Sequence, residues 1–407
     1  MNKKLLGLGL AFGAGIGAGL LINKCCQKTE YPMYVEGTEK DINSSKIEII
    51  RAKKLKKKKE DPKDYQFGKT YTDHMLEIDY DEETKFSVPR IVPFHNFSMH
   101  PATSVLHYGI TAFEGMKAYK DKDENIRFFR PMKNMNRFLE SGRRLALPDF
   151  DPEELLKCIE MLVWLERDWI PNIKGYSCYL RPVILGTDPF IGIKPSHKFK
   201  ICVFMCPVGP YYSGGFTGIQ LHAQKKYLRA WEGGTGGNKL GGNYAPTLLP
   251  IKIGVKMDCK SVLFLDHENK ITEAGAMNCM ILWINEDNEK ELITPSLDDN
   301  TILPGITRES ILTLAREWGE CKVTEGSVTM EQLIKAFNEK RLLEMFGCGT
   351  AAIISPITSL IYKDKTYKLS DKKDVGKFGI KLFNTILDIQ HGYIEHEWSH
   401  KIEEKDF

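Results

Sequence analysis

The segment from Trp231 to Tyr244 limits most strongly what this chain can fold into and bind. It holds one lysine, Lys239, among six glycines, with Tyr244 five residues on. Glycine has no Cβ, so this backbone can adopt positive φ and lie close against a ligand. An amine with a fixed position and a depressed pKa is typical of lysines that attack carbonyl groups. The segment is not a P-loop, because Leu240 follows the lysine where serine or threonine is required. A flexible glycine loop with an incidental lysine is the alternative.

A second segment predicts a hairpin that carries Glu273. The β-rich run 261–266 is followed by a turn-like stretch, 267–270, and then by residues 271–278. A carboxylate at the mouth of an apolar hairpin is costly unless a cationic partner meets it. The protonated pyridine nitrogen of pyridoxal phosphate is such a partner. The alternative is an ordinary exposed glutamate.

Two further segments predict an anion site. Residues 302–310 look like a loop that enters a helix, where the backbone of Ile306 and the hydroxyl of Thr307 can hold an anion. Residues 346–351 are again small residues at an element boundary and include Thr350. Each segment alone is weak evidence for a site. Together with Lys239 and Glu273, the two segments indicate one binding site.

These segments resemble the fold-type IV pyridoxal-phosphate enzymes, specifically a eukaryotic-type branched-chain-amino-acid aminotransferase. The resemblance runs from roughly Asp61 to Trp398 and includes residues 67–75, 107–118, 129–137, 179–182 and 389–398. It implies an α/β (α+β) two-domain fold, with a smaller N-terminal α/β domain and a larger strand-rich C-terminal domain. It also implies a homodimer.

The resemblance also implies a role for individual residues. Lys239 resembles the Schiff-base lysine, Tyr244 the partner of the cofactor's phenolic oxygen, and Glu273 the partner of the pyridine nitrogen. The implied phosphate cradle is Arg137, Ile306, Thr307 and Thr350. The implied substrate pocket has an aromatic wall and two main-chain donors for the substrate carboxylate: Phe67, Tyr108, Phe113, Tyr179 and Tyr211, with Ala276 and Ala351.

The activity implied is reversible transfer of the amino group of leucine, isoleucine or valine to 2-oxoglutarate, with pyridoxal 5'-phosphate as cofactor. One methylene is worth only about 0.8 kcal/mol of burial, so several branched substrates are expected. Two other hypotheses stay open. One is a D-amino-acid aminotransferase or aminodeoxychorismate-type lyase of the same fold, and the other is a non-catalytic, membrane-tethered binding protein.

The sequence departs from the resemblance at three positions. Ala352 and Ser355 stand where animal members carry a redox pair of cysteines, so thiol switching of that kind is not expected. Position 276 is alanine where threonine is usual, which removes a hydroxyl contact but keeps the main-chain donor.

The N-terminus is the unusual part of the chain. Leu5 to Ile22 is an uncharged run of eighteen residues with lysines on both sides. As a helix it would span roughly 27 Å, just short of a bilayer core of about 30 Å. The run predicts a membrane anchor, a targeting peptide or a disordered tail, and Cys25 and Cys26 beside it are candidate acylation sites.

The predicted organisation has five parts: an anchor or targeting segment, 1–28; a basic linker, 29–60; a small domain, 61–207; an interdomain loop, 208–218; and a large cofactor-binding domain, 219–407. A net charge of +3 gives no reason to expect a nucleic-acid partner, and ten scattered cysteines are read as free thiols in a reducing, intracellular compartment, cytosolic or mitochondrial. The motif His396-Glu397-Trp398-Ser399-His400 fits a zinc pattern. We expect no metal there, because it lies at the chain end without a convincing third ligand.

Overall fold

The computed structural model describes residues 37–210, 216–370 and 376–405. The predicted N-terminal segment 1–28 lies outside the described residues, and so does Tyr211. Within the described ranges, no helix combines the length and apolar character needed to cross a bilayer.

The first sheet gathers strands from the N-terminal half and one from the C-terminus. Its strands are β1 (Glu48–Ile49), β2 (His74–Asp81), β3 (Lys85–Phe86), β4 (Arg90–Pro93), β5 (Thr111–Phe113), β6 (Met116–Lys120), β7 (Ile126–Phe129), β8 (Ser177–Gly186), β9 (Lys198–Val208) and β19 (Ser399–Lys401). They follow the order β1-β4-β2-β9-β8-β6-β7-β19, with β3 on β2 and β5 on β8. Alternate residues of β2 (Leu76, Ile78 and Tyr80) enter one apolar core, as a strand period of two requires.

The second sheet lies C-terminal to the first in sequence. Its strands are β10 (Ile219–Gln224), β11 (Ser261–Leu265), β12 (Ile271–Ala274), β13 (Met277–Ile284), β14 (Lys290–Thr294), β15 (Lys322–Glu325), β16 (Leu342–Gly349), β17 (Ile353–Tyr362) and β18 (Lys365–Lys368). They follow the order β12-β11-β10-β17-β16-β13-β14-β15, with β18 on β17. The predicted hairpin with Glu273 is confirmed as antiparallel β11 and β12. One sheet gives way to the other between Val208 and Ile219, and the domain division itself stays a prediction.

Helices cover both sheets. They are α1 (Ser104–Tyr108), α2 (Pro131–Arg144), α3 (Pro152–Leu165), α4 (Leu248–Val255), α5 (Ile306–Trp318), α6 (Met330–Asn338) and α7 (Lys377–Gln390). Local sequence explains where several begin. Asp151 caps α3 through the N–H groups of Glu153 and Glu154, and Thr329 and Gln332 form a capping box on α6.

Two predicted boundaries need correction. The described part of the predicted linker 29–60, residues 37–60, is not simply a linker, because Glu48 and Ile49 pair in parallel with β4 and Ile42 is buried in the first core. The lysine-rich run 53–59 predicts a solvated linker. The short apolar stretch just before it nevertheless forms an edge strand, Glu48–Ile49. Likewise, residues 219–407 do not all belong with the second sheet, since β19 pairs with β7 of the first.

Candidate active site

The backbone of Lys239 is held from two sides. Its N–H donates to Ser141 Oγ at 2.9 Å, and its carbonyl accepts from the N–H of Phe113 at 3.0 Å. Close packing requires glycine at several positions before it. A Cβ at Gly237 would lie 1.7 Å from Asn300 Oδ1. Lys239 is therefore fixed where the loop before α4 meets α2 and β5.

The side chain of Lys239 lies in an aromatic setting. Its Nζ donates to Tyr244 Oη at 3.4 Å and lies 5.0 Å from the centroid of the Phe113 ring. Burial, and then the positive charge of Arg137, lower the pKa of Lys239 to about 8. A larger share of neutral amine is thus available near neutral pH than an exposed lysine provides, as carbonyl attack requires.

Glu273 is a buried carboxylate on β12. Its Oε2 lies 2.8 Å from Arg229 Nε, and its Oε1 accepts from the N–H of Leu303 at 2.9 Å. Burial raises the pKa of Glu273, against the opposing charge of Arg229. The carboxylate is satisfied by protein groups on one side, and it can serve a cationic ligand that approaches from the other.

Three residues of the predicted anion site meet in the structure. Ile306 and Thr307 form the start of α5, whose N-cap, Gly305, makes no side-chain cap. Thr350 lies in the turn after β16. All three line one small cavity. Uncapped N–H groups with hydroxyls beside them are the donors that a phosphate group accepts from.

Arg137, the fourth predicted cradle residue, is already engaged within the protein. Its Nε and Nη2 donate to the two carboxylate oxygens of Glu114, at 2.7 Å and 2.9 Å, and its Nη1 donates to the carbonyl of Pro304 at 2.9 Å. Although burial raises the pKa of Glu114, the Arg137 charge leaves it below the usual value. This fork places Arg137 beside the loop that leads into α5.

The aromatic wall forms in part. Phe67 contacts Tyr179 with ring centroids 4.9 Å apart, and Phe113 contacts Tyr244 at 5.0 Å. Phe67 and Ala351 line a cavity of about 600 Å³ together with Val208. Its lining is mixed, because Lys63, Gln66 and Lys117 also border it, and its volume is large enough for a small substrate.

Tyr108 and Ala276 are not among the residues that line this cavity. Tyr108 is exposed, and its hydroxyl donates to the carbonyl of Ile191 rather than facing this cavity. Ala276 lies in the exposed turn between β12 and β13. Pro210 borders the cavity, and Tyr211 comes next in sequence, outside the described residues.

The profile of the Amino-transferase class IV family matches residues 111–360, which include Lys239, Glu273 and Thr350. The chain belongs to this family of aminotransferases. Its relatives include the branched-chain-amino-acid aminotransferase of Dictyostelium discoideum, 45% identical over 88% of this chain and 95% of the relative. The cytosolic enzyme of Ovis aries is 44% identical over 89% and 95%, and the mitochondrial enzyme of Schizosaccharomyces pombe is 44% identical over 87% and 84%.

Solved structures share the fold of this class IV aminotransferase. The branched-chain aminotransferase of Thermoproteus uzoniensis, solved with norvaline, gives a TM-score of 0.64 at 24% identity, over 81% of this chain and 100% of that one. The T.th. branched-chain amino acid aminotransferase, solved with pyridoxamine 5'-phosphate, gives a TM-score of 0.64 at 23% identity. This match covers 80% of this chain and 98% of that one. The predicted mixed α/β class is therefore confirmed.

Sequence reasoning missed several charged residues of this aminotransferase. Arg229 pairs with Glu273, Glu114 with Arg137, and Arg181 lies over Phe113 at 4.7 Å. Lys117 Nζ donates to the carbonyl of Ala351 at 2.9 Å, and burial lowers its pKa to about 8. Arg181 is a lone charge in an apolar strand, which signals a buried charge that needs a partner but does not say which residue it meets.

The zinc-like motif is not helical in this aminotransferase. Helix α7 ends at Gln390, so His396 to Trp398 lie beyond it. His396 accepts from the N–H of Trp398, and His400, on β19, contacts Glu160 Oε1 at 2.7 Å. The described part of the chain contains no group of three or more potential metal-binding side chains.

Proposed function

We propose that this enzyme reversibly transfers the amino group of leucine, isoleucine or valine to 2-oxoglutarate, with pyridoxal 5'-phosphate bound at Lys239. The observation that carries the proposal is the buried amine of Lys239, with a pKa of about 8, which shares one site with Tyr244 and an aromatic cavity wall. Relatives with 44–45% identity that are named branched-chain-amino-acid aminotransferases support the substrate class.

The donors present fit this cofactor. Glu273 suits the pyridine nitrogen, Tyr244 the phenolic oxygen, and the first turn of α5, with Thr350 and Arg137, the phosphate. When bound, the cofactor acts as an electron sink that makes the Cα–H bond of an amino acid acidic enough to break. The protein supplies the charge at Glu273 that keeps the ring nitrogen protonated.

Lys239 would also serve as a general acid–base. Its Nζ can accept a proton from the substrate Cα and later donate it again. A pKa of about 8 is close to the operating pH, so both protonation states are populated. Tyr244 Oη, 3.4 Å away, keeps the amine near this position. The same side chain thus binds the cofactor and carries the proton.

The aromatic residues near Lys239 support a pocket that accepts two kinds of substrate. Phe67, Phe113 and Tyr179 offer apolar area for a branched side chain. Arg181 lies over Phe113 at 4.7 Å, and its Nη2 donates to Tyr179 Oη at 3.2 Å. No carboxylate among the described residues forms a salt bridge with Arg181, and its Nε is buried without a partner. We infer that Arg181 binds the second carboxylate of glutamate and 2-oxoglutarate.

Replacing Arg181 by Met tests this assignment. We expect the KM for 2-oxoglutarate to rise about tenfold or more, since a charge-assisted hydrogen bond is worth about 1.5–3 kcal/mol. The KM for leucine should change little. Steady-state assays measure the KM for each substrate separately. Arg143→Met is the control, because Arg143 binds the exposed Asp149. An equal rise for both substrates would count against the role.

The function itself is tested with the chain that begins at residue 37, because β1 belongs to the fold. The purified enzyme should be yellow and should transfer the amino group from leucine, isoleucine and valine to 2-oxoglutarate. D-amino acids and aminodeoxychorismate, the substrates of the alternative function, are assayed in parallel. Activity confined to those substrates would favour the alternative of the same fold, and a colourless protein would favour a binding role.

We also infer a homodimer. Large apolar side chains are exposed on α1, in the loop between β8 and β9, and on α4: Leu106, Phe190, Ile191, Ile193, Leu248, Leu249 and Val255. Ile193 is 92% exposed. Apolar surface of this extent is typical of subunit contacts. Sedimentation of the purified enzyme measures the mass, and a concentration-independent monomer would refute the dimer.

We infer an intracellular enzyme, because its relatives include cytosolic and mitochondrial enzymes. The apolar run Leu5 to Ile22 supports membrane attachment, with the basic flank on the cytosolic or matrix side. Deleting residues 1–28 should turn a membrane-pelleting enzyme into a soluble one with unchanged kinetics. Fractionation and N-terminal sequencing check this. An intact full-length enzyme in the supernatant refutes the anchor, and cleavage near the run favours a targeting peptide.

A further inference from the structure

Arg130 adopts an unusual backbone conformation. Its φ of 48° and ψ of 50° lie in the left-handed region, which residues other than glycine rarely occupy. Pro131 follows directly, and a proline disfavours helical conformations at the residue before it. Such a conformation persists only when surrounding contacts hold it, and it is a reason to look for a function.

The end of the chain supplies the contacts that hold Arg130. The Arg130 N–H donates to the carbonyl of Trp398 at 2.8 Å, and its guanidinium lies 4.7 Å from the centroid of the Trp398 ring. Trp398 is buried and immediately precedes β19. Two segments separated by most of the chain are thereby joined at one side chain.

The guanidinium of Arg130 also reaches the first turn of α5. Its Nη1 donates to Ser310 Oγ at 2.8 Å, and its Nη2 donates to Glu309 Oε1 at 2.7 Å. Ser310 Oγ in turn donates to the carbonyl of Ile306 at 2.8 Å. The turn whose open N–H groups suit a phosphate is thus tied to Arg130.

Helix α2 begins directly after Arg130 and carries Arg137. Arg137 donates to the carbonyl of Pro304, two residues before α5. The two helices that frame the anion site are consequently joined at three places: through Arg137 at the site, through Arg130 at the start of α2, and through Lys133, whose Nζ lies 3.1 Å from Glu309 Oε1. The side chains of the Lys133 pair are about half exposed, whereas Arg130 is largely buried, so losing the Arg130 contacts would loosen the connection between the helices.

We propose that Arg130, held by Trp398, is a positioning residue that sets the spacing between Arg137 and the first turn of α5. This spacing determines the affinity of the site for a phosphate group. The inference rests on the proposed function, because it assumes that the cofactor's phosphate binds between these helices. Arg130 acts through its neighbours and does not touch the cofactor.

The test replaces Arg130 by glycine. Glycine adopts the left-handed conformation without strain, so the backbone is kept while the guanidinium is lost. Titration of apoenzyme should show a Kd for pyridoxal phosphate raised about tenfold or more. The Kd for pyridoxal, which lacks the phosphate, should be unchanged, and inorganic phosphate should compete less well. Trp398→Phe, which keeps an aromatic face, should give a smaller loss.

Arg316→Ala is the matched control, because Arg316 lies at the other end of α5, where it donates to Glu325 at 2.8 Å. Its Kd values should equal those of the unmodified enzyme. Unchanged binding by Arg130→Gly overturns the proposal, and so does an equal loss for pyridoxal phosphate and pyridoxal, which indicates a merely structural role. An unmodified enzyme that binds no pyridoxal phosphate overturns the proposed function, and this inference with it.

Discussion

Replacement of Lys239 by Ala abolishes transamination while the phosphate contacts still hold the cofactor. The loss should reach about 10⁴-fold or more, the upper range for a general acid–base group, because the same amine also binds the cofactor. Absorbance titration and a leucine–2-oxoglutarate assay measure binding and turnover separately. In the unmodified enzyme, capture of the cofactor should quicken as the pH rises toward the Lys239 pKa of about 8, because the neutral amine is the attacking form.

Borohydride reduction provides the decisive control for Lys239. It should fix the cofactor covalently onto that residue, as peptide mass mapping can show. Lys117 is the informative competitor, since burial lowers its pKa to about 8 as well and it also lines the cavity of about 600 Å³. A label found on Lys117 would end the assignment of Lys239.

Replacement of Glu273 by Gln lowers turnover by about 10²- to 10³-fold, the range for losing one preorganised electrostatic group. Glutamine keeps the size of the side chain and removes the charge that stabilises a protonated ring nitrogen. It also leaves Arg229 buried without its ionic partner, so the melting temperature should fall. Cofactor absorbance should show that pyridoxal phosphate is still bound.

Glu291→Gln separates these two effects. Glu291 is a buried carboxylate of the same sheet, and it accepts from Trp283 Nε1 at 2.7 Å. It lies on β14, away from Lys239, so its replacement should cost stability while kcat is kept. Near-normal turnover in Glu273→Gln would show instead that Glu273 is a structural residue.

The sequence predicted those parts of the site that local patterns encode. The hairpin of Glu273 and the loop before α5 follow from turn residues and periodicity, and both are present. Arg229 and Arg181 could not be found in this way. Their significance depends on the residues that they meet across the fold, and a single sequence with no visible pairing gives little sign of those contacts.

The errors share one physical cause, because the predictions treated the chain as consecutive pieces. Ile42 and β1 join the first core although a lysine run follows them, and β19 joins the first sheet although α7 precedes it. Strand pairing depends on free edges in space. The short strands Glu48–Ile49 and Ser399–Lys401 are added at edges that only the assembled sheet creates.

The position of β19 has a consequence for biosynthesis. A nascent chain on the ribosome cannot complete its first sheet until residues 399–401 have been translated, because these residues pair with β7. Until then β7 presents an unpaired edge, which is a hazard for association between unfinished chains. Arg130 likewise waits for Trp398. Domains often fold in the order of their synthesis, whereas here the first sheet is completed only after residues 399–401 have been made.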